Sequence, residues 1–432
     1  MQTIKRILKF PIASLLAMGA RLVIAKYRPT IVMITGSVGK TSAKDAIGTA
    51  LDPQFFLRKT EKSYNSEFGV PFTIIGVKNP WLNPFAWFVV FRDLLALLVL
   101  PNHYPNLLIL EVGADRPGDI ARILRIATPD TVVVTRLPDV PVHVEAYASP
   151  AAVREEEFLP AYSLGIGAPL IISADDPHAR SLAESLPVRV ITYGFAKDAN
   201  VHAGTAKVFV ENGVVAGMSA EVRVGEIHTT LIVRGVLGSQ HLYAPLAALA
   251  STIALSSDLE AAVKDLASYV PPAGRERIFR GQNGSIIVDG SYNASPAAVE
   301  CALDTLKALP QVTRRIAVLG DMLELGRYSV IEHERMGAKA SACADLVVAV
   351  GVRAKAIARA ALEAGMKEEN VLWYDSAVSA AKALPSLLRA GDAVFVKGSQ
   401  GVRLERIVKA LLADPTDSKY LVRQEREWQR IA

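Results

Sequence analysis

Apolar residues fall in two rhythms along this chain. Continuous runs, Ile31–Ile34, Leu107–Val112, Thr131–Thr135, Leu170–Ser173 and Val188–Tyr193, alternate with stretches in which apolar positions recur every three or four residues. The runs predict strands buried on both faces, and the longer stretches predict helices that cover them. That alternation reads as a doubly wound α/β core with a parallel sheet. From 199 to 235 the texture changes to short β-branched alternation with turn signals, which predicts antiparallel strands appended to the core. A helix near His241–Leu255 follows, and Pro271-Pro272-Ala273-Gly274 reads as a linker. Beyond it the alternation restarts: strand Ser285–Asp289, a helix from Pro296, then strands Arg315–Leu319, Leu346–Val350 and Ala393–Val396. The expected organisation is an N-terminal helix (1–29), a central domain (30–272) and a Rossmann-like C-terminal domain (273–432). The charged tail, DSKYLVRQEREWQRIA, reads as a solvated helix.

Two segments do not fit the alternation. Residues 1–28 mix apolar and basic positions. They suit a secretory signal, a basic amphipathic helix on a membrane surface, or a helix packed on the central domain, with Pro11 at a break or kink. Residues 80–105, PWLNPFAWFVVFRDLLALLVLPNHYP, form an apolar insertion interrupted by Arg92 and Asp93. Its uninterrupted arms are too short to span a bilayer, so it reads as one or two helices, buried or interfacial.

Composition narrows the function classes. With 51% hydrophobic residues the chain can bury large cores, which excludes wholesale disorder. Two cysteines, Cys301 and Cys343, argue against a disulfide framework and against a Cys-rich metal site, and fit a reducing cytoplasm. Residues 1–30 hold Lys5, Arg6, Lys9, Arg21, Lys26 and Arg28 and no acid. Against a net charge of +5, that leaves the remainder close to neutral. A nucleic-acid binder would spread its basic charge, so no nucleic-acid partner is expected.

The strand Ile31–Ile34 runs into Gly36-Ser37-Val38-Gly39-Lys40-Thr41 and a helix from Ser42 to Leu51. Glycines let backbone N–H groups turn around an anion, and the helix start adds partial positive charge. Lys40 can reach the terminal phosphates of ATP, and the Thr41 hydroxyl suits a magnesium ion. The alternative is a tight turn with an exposed lysine. Glu111 ends the strand of LILEVGADRPGDI, at the sheet edge where α/β ligands bind. A carboxylate there suits the same magnesium. His143, in TRLPDVPVHVEAYASP, can complete a metal site; taken alone, it equally suits an ordinary loop histidine. Ser149-Pro150 opens a helix that carries Glu155, Glu156 and Glu157, which cannot all share one face. Asp289 and Asn293, in IIVDGSYNASP, repeat the strand-end logic, with Ser295-Pro296 as the helix start. Asp321 in AVLGDMLELG, and Lys397 and Ser399 in VFVKGSQGVRLERIV, sit at two further crossings, each of which alone suits a turn.

Taken in order, TGSVGKT, YNSEFGVP, LEVGADRPGDI, a His before a Ser-led helix, PAGR, VDGSYNASP, AVLGDMLELG and VKGSQGVRLER resemble the Mur ligases from about residue 30 to about 412. GDMLELG and DGSYNASP point to the branch that adds a D-alanyl-D-alanine-type dipeptide. The resemblance implies a P-loop central domain and an ATP- and Mg2+-dependent amide ligase of peptidoglycan synthesis. In such an enzyme a muropeptide carboxylate is phosphorylated and an amine then displaces the phosphate. It implies that Gly36, Ser37, Gly39 and Lys40 hold phosphate, that Thr41 and Glu111 hold one magnesium, and that His143 holds a second. It implies that Arg275 and Asp289 reach the nucleotide, that Asn293 supports that loop, and that Lys397, Ser399 and Asp321 face the amine. A monomer is expected.

The chain departs from the family's pattern in four places. About 30 residues precede the P-loop strand, where the family carries a uridine-binding domain, so a lipid-linked donor is an alternative. The insertion 80–105 is extra. Asp289-Gly290 replaces an Asp-Asp pair, a form similar to folylpolyglutamate synthases, and Gln400 replaces an arginine. Glu157 aligns with a carbamylated lysine. Three readings follow: the dipeptide ligase; a related ligase with another acceptor, folylpolyglutamate-like or acting on lipid-linked muropeptide; and a nucleotide-binding scaffold without catalysis. The basic start and the insertion also suggest peripheral contact with the inner face of the plasma membrane.

Overall fold

The apolar runs become neighbouring strands. The computed structural model describes residues 2–61, 64–80, 83–425 and 428. Its first sheet contains β1 (Thr30–Thr35), β2 (Leu57–Lys59), β3 (Leu107–Glu111), β4 (Thr131–Val134), β5 (Pro169–Ser173), β6 (Arg189–Gly194), β7 (Val201–Ala203), β8 (Lys207–Glu211), β9 (Val214–Val224) and β10 (Ile227–Arg234). Their order is β10-β9-β7-β6-β5-β4-β1-β3-β2, with β8 on β9. From β2 to β7 every pair is parallel, and β8, β9 and β10 pair antiparallel. The expected antiparallel strands thus extend the parallel sheet itself. β1 lies between β3 and β4, and the chain winds away from it in both directions. That is the switch point at which an α/β sheet leaves a crevice.

The second lobe holds β11 (Arg277–Arg280), β12 (Ile286–Gly290), β13 (Arg314–Gly320), β14 (Leu346–Val350), β15 (Val371–Tyr374) and β16 (Asp392–Lys397). Their order is β11-β12-β16-β13-β14-β15, parallel except for β11 on β12. Helices open where the sequence marks them. Ser149 caps Pro150–Tyr162 by accepting from the Ala152 amide, and Ser295 caps Pro296–Ala308 by accepting from Ala298.

The first 27 residues yield one helix, Gln2–Tyr27, which continues through Pro11. Leu16, Ala20 and Val23 are fully buried in the core beneath the first sheet. The insertion is a single helix, Pro84–Val99, and it packs directly on the first. A Cβ on Gly19 would lie 2.4 Å from a Leu94 methyl, so a larger residue there would push the Leu94 side chain aside. The Lys26 ammonium donates to the carbonyls of Leu97 and Leu100, both at 2.7 Å, and so satisfies the end of the second helix. Tyr27 stacks on Tyr104 with ring centroids 4.5 Å apart. Trp81 and Leu82 of the insertion lie outside the described residues. Among the described residues no helix is long and apolar enough to cross a membrane.

The tail differs from expectation. Residues Pro415–Tyr420 form a short 3-10 turn, after which Leu421 and Arg423 are buried. The Arg423 guanidinium donates to Glu405 and to the carbonyls of Ser291 and Tyr292. The basic residue is drawn in by a buried carboxylate and two backbone carbonyls that accept from it. The end of the predicted helix, residues 426, 427 and 429–432, lies outside the described residues.

The packed helix makes a checkable difference between two leucines. Leu16→Ala removes a fully buried side chain and is expected to cost about 2–5 kcal/mol. Leu22→Ala, on the exposed face, is expected to stay within about 0.5 kcal/mol. Urea unfolding of both variants measures this, and equal, small losses would detach the helix from the core.

Candidate functional site

Residues that sequence places far apart meet where the two sheets face each other. β1 ends at Thr35 and the chain turns through Gly36 at φ +114°, where a Cβ would sit 2.5 Å from the Thr135 hydroxyl. Gly39, at φ +95°, is the N-cap of helix Lys40–Leu51 and offers no side-chain cap. The first helical N–H groups therefore stay open to an incoming anion. The Lys40 ammonium folds back onto the Gly36 carbonyl.

Thr41 donates to one Glu111 oxygen at 3.0 Å. The other Glu111 oxygen is buried without a hydrogen-bond partner and lies 3.6 Å from the Lys44 ammonium. A hydroxyl and an under-satisfied carboxylate side by side fit magnesium, which binds through one or two protein oxygens and completes its shell with phosphate and water. Among the described residues no group of three or more His, Cys, Asp or Glu could hold a metal.

His143 takes a left-handed conformation at φ +63° and sits on the cleft rim. Its Nδ1 lies 3.0 Å from Glu324 of the second lobe, and its Nε2 lies 3.6 Å from Asp115. Burial of the ring opposes a charge, but Glu324 and Asp115 outweigh it and hold the imidazole above its ordinary value. In this arrangement the expected second metal ligand is hydrogen-bonded across the cleft to Glu324. Its partner Glu324 is held below the usual carboxylate range by the same hydrogen bond.

The three consecutive acids separate as their helical positions require. Glu155 is exposed and accepts from the Tyr162 hydroxyl, and Glu156 accepts from the amides of Gly118 and Ile120. Glu157 is buried beneath the glycine loop, where it accepts from the Ser37 hydroxyl at 2.5 Å. Burial pushes its carboxyl up, against the pull of Lys40, Ser37 and His143.

The second lobe supplies the opposite wall. Arg275 stacks on Tyr292 at 4.4 Å and keeps a buried Nε without a hydrogen-bond partner. Together with Asn293 it lines both chambers of the cleft. The larger chamber, about 670 Å3, contains Lys40, Thr41, Glu111, His143, Glu324 and Ser399. The smaller, about 230 Å3, contains Asp175, Tyr193, Gln240, Tyr243 and Lys397.

Three expectations change here. Asp289 does not face the cleft: it is fully buried and accepts from the Ser291 amide, shaping the loop that presents Asn293. Asp321 lies behind the wall and accepts from the Ala354 amide. Lys397 and Ser399 point into different chambers, and Lys397 is ion-paired with Glu276.

Several functional candidates escaped the sequence. Asn65 lies over Gly113 beside Lys40, inside a motif already quoted. Glu324 sits in GDMLELG, next to the acid that was singled out. The Tyr243 hydroxyl donates to Asp175 at 3.0 Å, and His241 lies 3.0 Å from Glu276. These last four carry no local signal, because only the fold brings them together.

Comparison with known proteins gives a consistent result. Residues 93–252 match the Mur ligase middle domain, and residues 274–400 match the Mur ligase glutamate ligase domain. The UDP-N-acetylmuramoyl-tripeptide–D-alanyl-D-alanine ligase of Bacillus subtilis is 26% identical over 387 residues, 89% of this chain and 76% of that protein. The enzyme of the same name from Mycobacterium tuberculosis is 28% identical over 418 residues, 90% of this chain and 74% of that one. Among solved structures, the MurF ligase of Thermotoga maritima in complex with ADP superposes with a TM-score of 0.75 at 25% identity, covering 92% of this chain and 83% of that one. A folylpolyglutamate synthase from M. tuberculosis shares the fold, with a TM-score of 0.64 at 16% identity, covering 92% and 95%.

The loop that carries Glu324 is pinned by His333, which is fully buried. Its Nε2 accepts from the Met322 amide at 2.9 Å, and its Nδ1–H donates to the Ser329 carbonyl at 2.6 Å. Burial lowers its pKa below the ordinary 6.5, despite the Ser329 hydrogen bond and nearby Asp321. In the unfolded chain His333 takes up a proton below about pH 6.5, while in the folded chain it stays neutral to lower pH. The unfolded state then binds more protons, so stability falls as pH drops through that window, by at most about 1.4 kcal/mol per unit. Urea midpoints between about pH 7 and pH 5 are expected to fall more steeply in the wild type than in His333→Gln. Parallel slopes would remove His333 from the account.

Proposed function

This chain belongs to the Mur ligase family, and on that premise we propose that it is an ATP-dependent ligase of peptidoglycan-precursor synthesis, joining a D-alanyl-D-alanine-type amine to a muropeptide carboxylate. The observation that carries this reading is a phosphate cradle, Gly36 to Thr41, opening beside Glu111 into a chamber walled by both lobes. Phosphoryl transfer needs position and positive charge more than covalent help. The open amides after Gly39 and the Lys40 ammonium meet the terminal phosphates. Thr41 and Glu111 hold magnesium, which when bound neutralises phosphate charge. Arg275 approaches the phosphates from the second lobe with its free Nε. The donor carboxylate lies in the larger chamber, where it takes up the γ-phosphoryl group. The amine enters from the wall of Ser399, Gln400 and Glu324, attacks the acyl carbon and releases phosphate. The facing lobes exclude water from the acyl phosphate.

The buried Glu157 carboxyl, held under the loop by the Ser37 hydroxyl, stands in for a carbamylated lysine. A second reading keeps this chemistry and changes the acceptor. The Asp289-Gly290 form favours it. A scaffold without catalysis has no such support, because Lys40, Thr41 and Glu111 are all in place. We further infer that the enzyme works in the cytoplasm as a monomer, with peripheral contact at the membrane.

Phosphate release is expected only when ATP, a muropeptide donor and an amine are all present. Screening amines against that readout separates the two acceptor readings. Lys40→Ala is expected to slow turnover by about 100-fold or more without unfolding the protein. Near-normal ligation by the folded variant would refute the phosphate role.

Glu157→Gln is expected to cut turnover by about tenfold or more, roughly 1.4 kcal/mol of barrier, and to raise the magnesium requirement. Glu155→Gln, at an exposed position, is the control and is expected to behave as wild type. Activity is also expected to be indifferent to the removal of bicarbonate. Mild and equal effects of the two substitutions would return Glu157 to a structural role.

A further inference from the structure

The two helices that cover the first sheet are apolar on both sides. Helix Gln2–Tyr27 buries Leu16, Ala20 and Val23, yet Leu15, Met18 and Leu22, at helical spacing on its other face, are 44–49% exposed. Helix Pro84–Val99 buries Val90 and Leu94. Its opposite face shows Phe85 (82% exposed), Phe88 (72%), Leu95 (62%) and Val99 (68%). Gly19 abuts Leu94 and Lys26 reaches the carbonyls of Leu97 and Leu100, so the helices run side by side in the same direction. Their outer stripes form one apolar surface that nothing covers among the described residues. A helix apolar all round is normally buried on all sides, and an exposed patch of this kind marks an interaction surface.

Charge selects the occupant. Arg92 lies within the second stripe, and Arg21 and Arg28 are exposed along the first helix and just beyond its end. The same helix carries Lys5, Arg6 and Lys9 in its first turns and no acid anywhere. The one acid on the second helix, Asp93, is paired with Arg92. A twofold dimer through this face would set two cationic rims against each other, and a protein interface core is depleted of charge. Apolar and aromatic side chains framed by cations of one sign instead match an anionic bilayer surface, with the phenylalanines in the acyl region and the basic groups at the headgroups.

We propose that the outer face of this helix pair docks the protein on an anionic lipid bilayer, with both helices lying in the plane of the interface.

Vesicle co-sedimentation of the full chain tests docking without turnover, so its outcome is independent of the ligase reading. Binding is expected to phosphatidylcholine vesicles containing phosphatidylglycerol at low salt, to weaken at high salt, and to be absent with phosphatidylcholine alone. The double substitution Phe85→Ser and Phe88→Ser is expected to reduce binding at least tenfold with an unchanged thermal midpoint, since both side chains are exposed. Arg21→Glu with Arg28→Glu is expected to remove the preference for anionic vesicles. Sedimentation velocity on the same samples reads self-association. The proposal is overturned by a lack of binding to anionic vesicles at low salt, by binding indifferent to the phenylalanine substitutions, or by a dimer that those substitutions dissociate.

Discussion

The arrangement of the two lobes rests on one buried carboxylate. Glu276 follows the linker, in a left-handed conformation at φ +50°, and is almost wholly out of water. Its two oxygens reach His241 of the first lobe, at 3.0 Å, and Lys397 at the end of β16 in the second. Burial alone would raise its pKa, but these two partners hold it far below the usual range. Its backbone does the same mechanical work: its carbonyl accepts from the Leu237 amide, and Gly235 accepts from Ile278. A charge so buried is tolerable only with its partners in place, and removing one of them leaves an uncompensated ion, typically at a cost of about 3–5 kcal/mol. The position of one sheet edge over the other is thereby specified, and with it the space between them.

That space is built around charges of both signs. Lys40, Lys44 and Arg275 stand against Glu111, Glu157 and Glu324. None of these groups is contributed by a flexible surface arm. Glu111 and Lys40 sit on strand and helix ends, Glu157 on a helix packed under the loop, and Arg275 on a ring of Tyr292. Groups held in this way need no reorganisation when charge moves in the substrate, which is the basis of electrostatic preorganisation. The same rigidity accounts for the strained glycines. Gly36 permits the loop to pass within contact of Thr135, where any side chain would collide.

The sequence displays the elements whose signals are local. The parallel strands are apolar runs, the caps at Ser149 and Ser295 are short patterns, and the phosphate loop is contiguous. The core of the site was legible for that reason, as Lys40 and Thr41 follow a strand and Glu111 ends one. Pairings that cross between elements were not legible. Glu324 is 181 positions from His143, and nothing near either residue announces the other. Asp289 looked like a ligand residue because it ends a strand, but the chain turns there so that its carboxylate serves Ser291. The tail looked solvated because it is charged, yet Arg423 has Glu405 to meet it. Charge in a sequence signals exposure only while no buried partner of opposite sign exists, and partners are a property of the fold.

Two of the links between the lobes differ in strength for the same reason. At the hinge, Glu276 and its partners are shielded from water, so their attraction is barely screened. At the rim, the His143–Glu324 pair is partly exposed, with side chains 29% and 45% accessible. Solvent screens a pair of that kind to roughly 0–1 kcal/mol. Gly326 closes over Glu145 beside it, with a Cβ position only 2.9 Å from the glutamate side chain, so this rim contact is one of fit as well as charge. The cleft is therefore tied firmly at its closed end and lightly at its mouth. A site that must admit a donor carboxylate and then an amine needs that asymmetry: the firm end preserves the register of Lys40, Glu111 and Arg275, and the light end sets little cost on entry.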